Sequence, residues 1–526
     1  MLFSLNINLG HAAEALASAA LNAEGQIGQN QYVNHWDGQN KPQSSQLNTF
    51  GNAIGQGIGA LFTPKTDESY RTVQFSQLSK YQYDTSKVSE LPQIRSAAAV
   101  AGTTGGAVAA GYPQHNRQGL SFVDAIQQTL NRHPLISQSI ANLASQNANI
   151  DVAKSGYYPQ LSGGIGTGDM TTGERGRQLI SLNATQMVYD FGKVKSTVDE
   201  QRAKLITSQA GVLVTIDEIA LQVSNAIVNI KRFQEVTRIA NEQIVGISRI
   251  AEIADLRAKA GISSQADPVQ AQSYLEAARS NLIAQQTQLR IYEERLRTLL
   301  GYDVANKNWQ IPNNLIDVSN IYAEIDLQTI PRMIQAQSAV DVAKLQKKQV
   351  DLSRYPTLSV KGSLSQALNG VNPNNNKDDG FYNSIMFEAS SNFYQGGATA
   401  SRSRAASFAE EAARSQVNSV YMEVLNQTRA TRENVENKQR QTAVLANQQA
   451  ISIRTKELYQ EQYKLGTRTV LDLLNAEQSI HSTNMQLENL RYDIYDSLVQ
   501  YIAVTGKTRE IYQLNNISIQ GVEIQP

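Results

Sequence analysis

Two long stretches without proline, residues 160–267 and 374–525, set the limits within which this chain must fold. Proline ends helices because it lacks an N–H and clashes with the preceding turn. Each stretch can therefore hold a helix well beyond the usual length of roughly 8–20 residues. Glycine is equally sparse there. Between Lys193 and Leu256 only Gly211 and Gly246 occur, and between Ala398 and Thr505 only Gly466. Within the first stretch Ile219, Val223, Ala226, Ile230, Phe233, Thr237, Ala240, Ile244, Ile247, Ala251 and Ala254 are spaced alternately four and three residues apart. That is a sustained coiled-coil seam. A helix from Lys193 to Leu256 spans roughly 96 Å at about 1.5 Å per residue, more than a compact domain needs.

The same unit occurs twice. Pro134 and Pro331 lie 197 residues apart, as do Tyr158-Pro159 and Tyr355-Pro356. Beyond them the offset becomes 205: Tyr189-Asp-Phe-Gly192 matches Tyr394-Gln-Gly-Gly397, Gly261 matches Gly466, Asp267 matches Asp472, and Gly301 matches Gly506. One eight-residue insertion between Tyr355 and Tyr394 accounts for the difference. The chain divides on this basis into repeats at 119–301 and 331–506, a linker at 302–330 and a tail at 507–526. Residues 1–118, rich in Gly, Ala, Ser, Gln and Asn without a heptad pattern, form an N-terminal extension of mixed or low order. Its first residues lack the basic region of a signal sequence, so they are at most a clipped or atypical signal remnant.

Each repeat is predicted to run helix, two strands, long helix, turn, helix. The strands alternate in polarity. Leu358, Val360, Gly362 and Leu364 face one way against Ser359, Lys361, Ser363 and Ser365. In the partner strand Ile385, Phe387, Ala389, Ser391 and Phe393 oppose Glu388, Ser390, Asn392 and Tyr394. In the first repeat Ile180, Leu182, Ala184 and Val188 oppose Ser181, Asn183, Thr185 and Tyr189. Segments of about ten residues with this pattern fit transmembrane barrel strands, and an amphipathic hairpin packed on a core satisfies it too. Four strands cannot close a barrel, so the membrane reading requires an oligomer. The hairpin loops, Gly168–Gln178 and Gln366–Tyr382, are polar and turn-rich. Asp378 and Asp379 in the longer one lack EF-hand spacing, so they belong to a solvated loop.

Composition narrows the function. No cysteine is present, which excludes disulfides, thiol catalysis, Cys-ligated zinc and a cysteine-linked lipid anchor. The 47 basic and 47 acidic side chains balance, unlike a nucleic-acid binder. No window approaches 18 uninterrupted apolar residues, the length of a transmembrane helix, though this says nothing of a β-barrel. The five histidines are scattered. Gly164-Ile-Gly-Thr-Gly168 lies in a predicted strand, and Gly192-Lys193 lacks the rest of a P-loop. No set of nucleophile, base and orienting group is present, and nothing calls for a metal or cofactor.

The segment Tyr463-Lys-Leu-Gly-Thr-Arg-Thr-Val-Leu-Asp-Leu-Leu-Asn-Ala476 resembles the second helical-hairpin turn of the TolC family of outer-membrane channels. Tyr394-Gln-Gly-Gly397, Tyr355-Pro356 and the duplication are similar to that family as well, and together they cover about Gly119 to Lys507. The resemblance implies a mixed α/β membrane protein. Four strands per chain would contribute to a trimeric, 12-stranded outer-membrane β-barrel, continued by a long α-helical coiled-coil tunnel in the periplasm. Substrate would pass passively from an inner-membrane pump and a periplasmic adaptor. The far end of the tunnel would close like an iris, with Tyr463 and Arg468 as latch residues, Asp267 as the partner of Arg468, and Asp472 lining a narrow ring. Asn475 stands where some members carry a second aspartate, so the ring would hold three rather than six carboxylates. The adaptor would meet the turns at Lys259, Ala260, Gly261, Leu465, Gly466 and Thr467.

Absence of cysteine excludes the lipidated branch associated with drug efflux and favours type I secretion of a large polypeptide, such as an adhesin or RTX protein, driven by an ABC transporter. The alternatives are the outer-membrane component of a multidrug efflux pump driven by an RND pump, and a coiled-coil structural or adhesive protein with no pore.

Overall fold

The structure is a computed structural model that describes residues 71–74, 120–168, 177–304, 308–312, 315–368, 381–392 and 394–525. Both hairpin loops beyond their strand ends, Phe393, Asp378, Asp379 and all of the expected N-terminal extension except 71–74 lie outside the described residues.

Chain order gives β1 (Thr72–Gln74), β2 (Leu120–Ser121), α1 (Phe122–Arg132), α2 (Pro134–Lys154), β3 (Gln160–Gly168), β4 (Arg177–Tyr189), α3 (Lys193–Lys259) and α4 (Ala266–Leu300). There follow β5 (Trp309–Gln310), α5 (Leu315–Ser319), α6 (Pro331–Leu352), β6 (Thr357–Leu368), β7 (Phe381–Ser390), α7 (Ala398–Lys464), α8 (Val470–Val504), α9 (Thr508–Ile511), β8 (Ile517–Ile519) and β9 (Val522–Gln525). The duplication is visible in helix length: α3 and α7 each have 67 residues, and α4 and α8 each have 35. Helix α3 runs three residues past the expected end at Leu256, because the glycine that ends it is Gly261, with φ 70°. At about 1.5 Å per residue, α3 and α7 are each roughly 100 Å long.

Strands β3, β4, β6 and β7 form one antiparallel sheet in that order. Its register places Leu161, Ile165, Ile180, Leu182, Val360, Leu364, Ile385 and Phe387 on one face. Ser181, Asn183, Thr185, Ser363 and Ser384 share the other, where Lys361 pairs with Glu388 at 2.8 Å. The apolar face is uncovered: Ile165 is 81% and Ile385 85% exposed. The register shifts once. It passes from Met187 opposite Ser359 to Tyr189 opposite Leu358, so Val188 is left out of the pairing. This bulge moves Tyr189, expected on the polar face, to the side of Leu358, where it packs edge-on against Phe191 at 4.8 Å. Phe191 in turn stacks on Tyr355 at 5.4 Å, and exposed Tyr157, Tyr158 and Tyr394 also lie near the strand bases. An aromatic girdle of this kind borders the apolar band of membrane barrels.

The largest core surrounds the middle of α3, from Ala210 to Ile230, and includes Phe122, Trp309, Tyr501 and Tyr512. Two small sheets brace it: β2 runs parallel to β5, and β1 runs parallel to β9, which pairs with β8. Helix α3 contains a window of mean hydropathy 1.4, long and apolar enough to cross a membrane, but 61% of that window is buried inside the chain. It is the centre of the bundle.

The glycines within α3 mark close approaches. A Cβ at Gly246 would fall 1.7 Å from Glu477 Oε1. Glu477 is 2% exposed, held by Lys456 at 2.5 Å and His481 at 3.1 Å, and cannot swing aside freely. At Gly211 the added atom would meet only the mobile end of Gln335, at 3.3 Å. Gly246→Ala is expected to lower the stability of the fold by about 1–3 kcal/mol in thermal denaturation. Gly211→Ala is expected to be neutral or to add up to about 1 kcal/mol through helix propensity.

Two carboxyls in the bundle have raised pKa values. Burial pushes Asp217 up to about 7, opposed by Arg509 and Thr508. Burial pushes Asp496 up to about 6, opposed chiefly by Arg232, which lies 2.7 Å away. A carboxyl whose folded pKa exceeds its unfolded value takes up its proton first in the folded state. Its contribution to stability is present below the ordinary carboxyl value of 3.8 and is lost as pH rises through 6 and 7. Asp217→Asn is therefore expected to flatten the decline in melting temperature between about pH 5 and about pH 8.

Candidate functional site

The candidate site is the end of the bundle where α3 turns into α4 and α7 turns into α8. Both turns are built alike. Gly261 and Gly466 have φ of 70° and 77°, and a Cβ at either would meet open space, so backbone conformation is what requires glycine there. In the first turn the N–H of Ile262 donates to Arg257 O at 2.9 Å and that of Gly261 to Ala258 O at 3.1 Å. In the second, Thr467 N–H donates to Gln462 O at 3.0 Å and Gly466 N–H to Tyr463 O at 3.1 Å. These paired bonds satisfy carbonyls left over at the helix end. Lys259, Ala260, Gly261, Leu465, Gly466 and Thr467 are all exposed, with Lys259 closing α3 and the rest starting the turns.

Entry into the second helix of each hairpin differs. Thr469 caps α8: its hydroxyl accepts from the Asp472 N–H at 3.3 Å, and Asp472 Oδ2 accepts from the Thr469 N–H at 3.2 Å. This is a capping box. The Thr469 side chain, then its backbone N–H, hold the Asp472 carboxyl below its usual range, with Arg468 adding to the effect. Helix α4 begins at Gln265 without a side-chain cap.

Behind the turns the two hairpins share an apolar cluster. Ile247, Ile250 and Ala254 of α3 meet Ala271 and Leu275 of α4, Tyr463 of α7, and Val470, Leu473 and Leu474 of α8. Tyr463 is 5% exposed, and its ring is part of this seam. Burial raises its phenol pKa; the Arg257 charge opposes the rise and the Asp267 charge adds to it. The Arg257 guanidinium lies over the Tyr463 ring at 4.7 Å and donates to Tyr463 O at 3.3 Å.

The five gate residues named from the sequence gather at one end of the bundle. Within the chain Arg468 stays on its own hairpin, donating to Gln462 at 2.9 Å, lying over the Tyr459 ring at 4.5 Å and approaching Asp472 at 3.8 Å. Asp267 forms no ion pair among the described residues and acts on the Tyr463 phenol through its charge. Asn475 is exposed, and its Oδ1 accepts from the Tyr274 hydroxyl at 2.9 Å. Sequence reasoning did not find Arg257 or Tyr274. Their only prior signal was position, since each lies within a turn or two of a matched landmark. Among the described residues no group of His, Asp and Glu is arranged to hold a metal ion.

Comparison with known proteins gives the arrangement a context. The profile of the family described as Outer membrane efflux protein matches residues 125–302 and 326–507. Outer membrane protein TolC of Vibrio cholerae is 23% identical over 375 residues, covering 68% of this chain and 84% of that protein. Outer membrane efflux protein BepC of Brucella suis is 23% identical over 402 residues, covering 74% and 85%. Among solved structures, the outer membrane protein VceC of Vibrio cholerae superposes with a TM-score of 0.64 at 16% identity, covering 73% of this chain and 96% of that one.

Loss of the α8 cap is expected to loosen the turn locally. Thr469→Ala should speed hydrogen exchange at Val470–Asp472 while leaving the Gly261 turn unchanged, as read by exchange mass spectrometry of the purified trimer.

Proposed function

This chain belongs to the outer membrane efflux protein family, and on that premise we propose that it is the exit duct through which a large polypeptide leaves the cell by type I secretion. Members of the family are trimeric outer-membrane channels rather than enzymes, and they work with a periplasmic adaptor and an inner-membrane pump. Three copies of the four-stranded sheet make a barrel of 12 strands, and the long helices continue it as a periplasmic tunnel.

The observation that carries the exit-duct reading is the sheet. Among the described residues its outer strands β3 and β7 each have one unpaired edge, and one face carries exposed Leu161, Ile165, Ile180, Leu182, Ile385 and Phe387. Such a sheet is at home in lipid only when neighbouring copies complete its hydrogen bonds. The polypeptide substrate is supported by the opposite face. It carries serine, asparagine and threonine, and its Lys361 and Glu388 pair with each other at 2.8 Å. An ABC transporter is the pump that this reading implies. A second reading, a multidrug efflux component served by an RND pump, is favoured by the match to the outer membrane efflux protein family and to the efflux protein BepC.

The repeats at 119–301 and 331–506 supply two hairpins per chain to the tunnel, with 302–330 and 507–526 around its middle and 1–118 as an extension. Tyr463, Arg468 and Asp267 hold the tunnel end closed, and Asp472 and Asn475 narrow it. In the assembled ring Arg468 exchanges Gln462 for Asp267, a charged partner. The exposed turns at Lys259–Gly261 and Leu465–Thr467 receive the adaptor.

Purified wild-type trimer is expected to conduct weakly in a planar lipid bilayer, and Arg468→Ser combined with Asp267→Ala to raise that conductance several-fold. A trimer that conducts in neither form contradicts the channel reading. Deletion of the protein should abolish secretion of the large surface polypeptide; unchanged secretion with increased antibiotic susceptibility would favour the efflux reading.

A further inference from the structure

The two hairpins of one chain meet along a seam between α3/α4 and α7/α8, crossed by several polar contacts; beyond the Gln243–Gln478 bond at 2.6 Å, two lie nearest the tip. Tyr274 of α4 donates its hydroxyl to Asn475 of α8 at 2.9 Å. Arg257 of α3 stacks on Tyr463 of α7 at 4.7 Å and donates to its carbonyl at 3.3 Å. The side chain expected to act as the main latch does not cross this seam within the chain, because Gln462, Tyr459 and Asp472 all share the hairpin of Arg468.

The duplication shows that neither link is a by-product of the repeat. At the offset of 205, Tyr274 corresponds to Ser479, Asn475 to Gln270, and Arg257 to Gln462. None of these counterparts can make the same bond: serine is too short to bridge the seam, and glutamine has neither the charge nor the planar cation that stacks on an aromatic ring. The links therefore run one way, tying the hairpin that carries Asp472 and Asn475 to the other hairpin of its own chain.

The geometry points to Tyr274 and Arg257 as positioning residues for the gate, acting as latches within each chain that hold the α7/α8 tip against α3/α4. For an iris to widen, that tip must move relative to its own neighbour, and both links stretch when it does. The Tyr274–Asn475 bond lies at an exposed edge, where water can replace the lost partner. Its release is therefore within reach of an adaptor arriving at the turns. Asn475 acquires a role here that its position alone does not suggest. Its amide oxygen is the acceptor by which Tyr274 holds α8. This inference rests on the gated-channel reading.

Open probability of purified trimers in planar bilayers tests it, alongside thermal dissociation of the trimer. Tyr274→Phe, which removes only the hydroxyl, and Asn475→Ala are each expected to raise open probability several-fold. The double variant should add little to either, since both break one bond. Arg257→Gln, which loses the stacking cation, should open the channel further, and Arg257→Lys should restore part of the closure. Trimer dissociation temperature should be unchanged in Tyr274→Phe. The inference is overturned if Tyr274→Phe gates like wild type while Arg468→Ser with Asp267→Ala opens, an outcome that leaves the channel reading intact. It is equally overturned if the rise in opening tracks a fall in dissociation temperature, which marks a packing role. No conductance in any variant, Arg468→Ser with Asp267→Ala included, would remove the channel reading itself.

Discussion

In the hydrocarbon of a bilayer a backbone N–H or C=O has no water to turn to, and this constraint decides the form of the whole molecule. The sheet β3-β4-β6-β7 satisfies its inner ladders, but leaves one edge each on β3 and β7. Only further strands can fill those edges. Closure by three copies gives each chain one third of a barrel, and each chain must then place two coiled-coil hairpins beneath its third of the wall. The equal lengths of α3 and α7 follow from this geometry, because every staff of the tunnel spans the same distance from membrane to tip.

At the far end the requirements reverse. A barrel wall must stay closed, but a tunnel entrance must open, so the contacts there are polar and partly wet. The apolar cluster around Tyr463 holds the hairpins together, while Arg257 and Tyr274 set their relative position near the surface. At Gly246 the Glu477 side chain of α8 packs directly onto the α3 backbone. On the tip side of that point lies the apolar cluster, with the polar links at its edge.

Much of the fold was legible because it depends on local rules. Proline and glycine gaps gave α3 and α7 almost to the residue, matched glycines located the turns, and period-two alternation found the strands. The bulge at Val188 was not legible: one extra residue carries no compositional mark, yet it moved Tyr189 to the other face. The short strand Thr72–Gln74, paired with Glu523–Gln525, escaped for a related reason, since three residues are too few to show a period. At the site, Gly261 and Gly466 lay within single motifs and could be read. The partners of Arg468 and Asn475 could not, because a long side chain among several acceptors is placed by distances between helices far apart in sequence.

By itself, then, the sequence determined which segments are helix, strand and turn, that they occur twice, and that one sheet face suits lipid. These follow from backbone sterics and periodicity, which act over a few residues. Tertiary structure alone decided which hairpin holds which. The Tyr274–Asn475 and Arg257–Tyr463 links join residues about 200 positions apart that no local rule relates. They exist because packing of the apolar seam brings two helices to hydrogen-bonding distance.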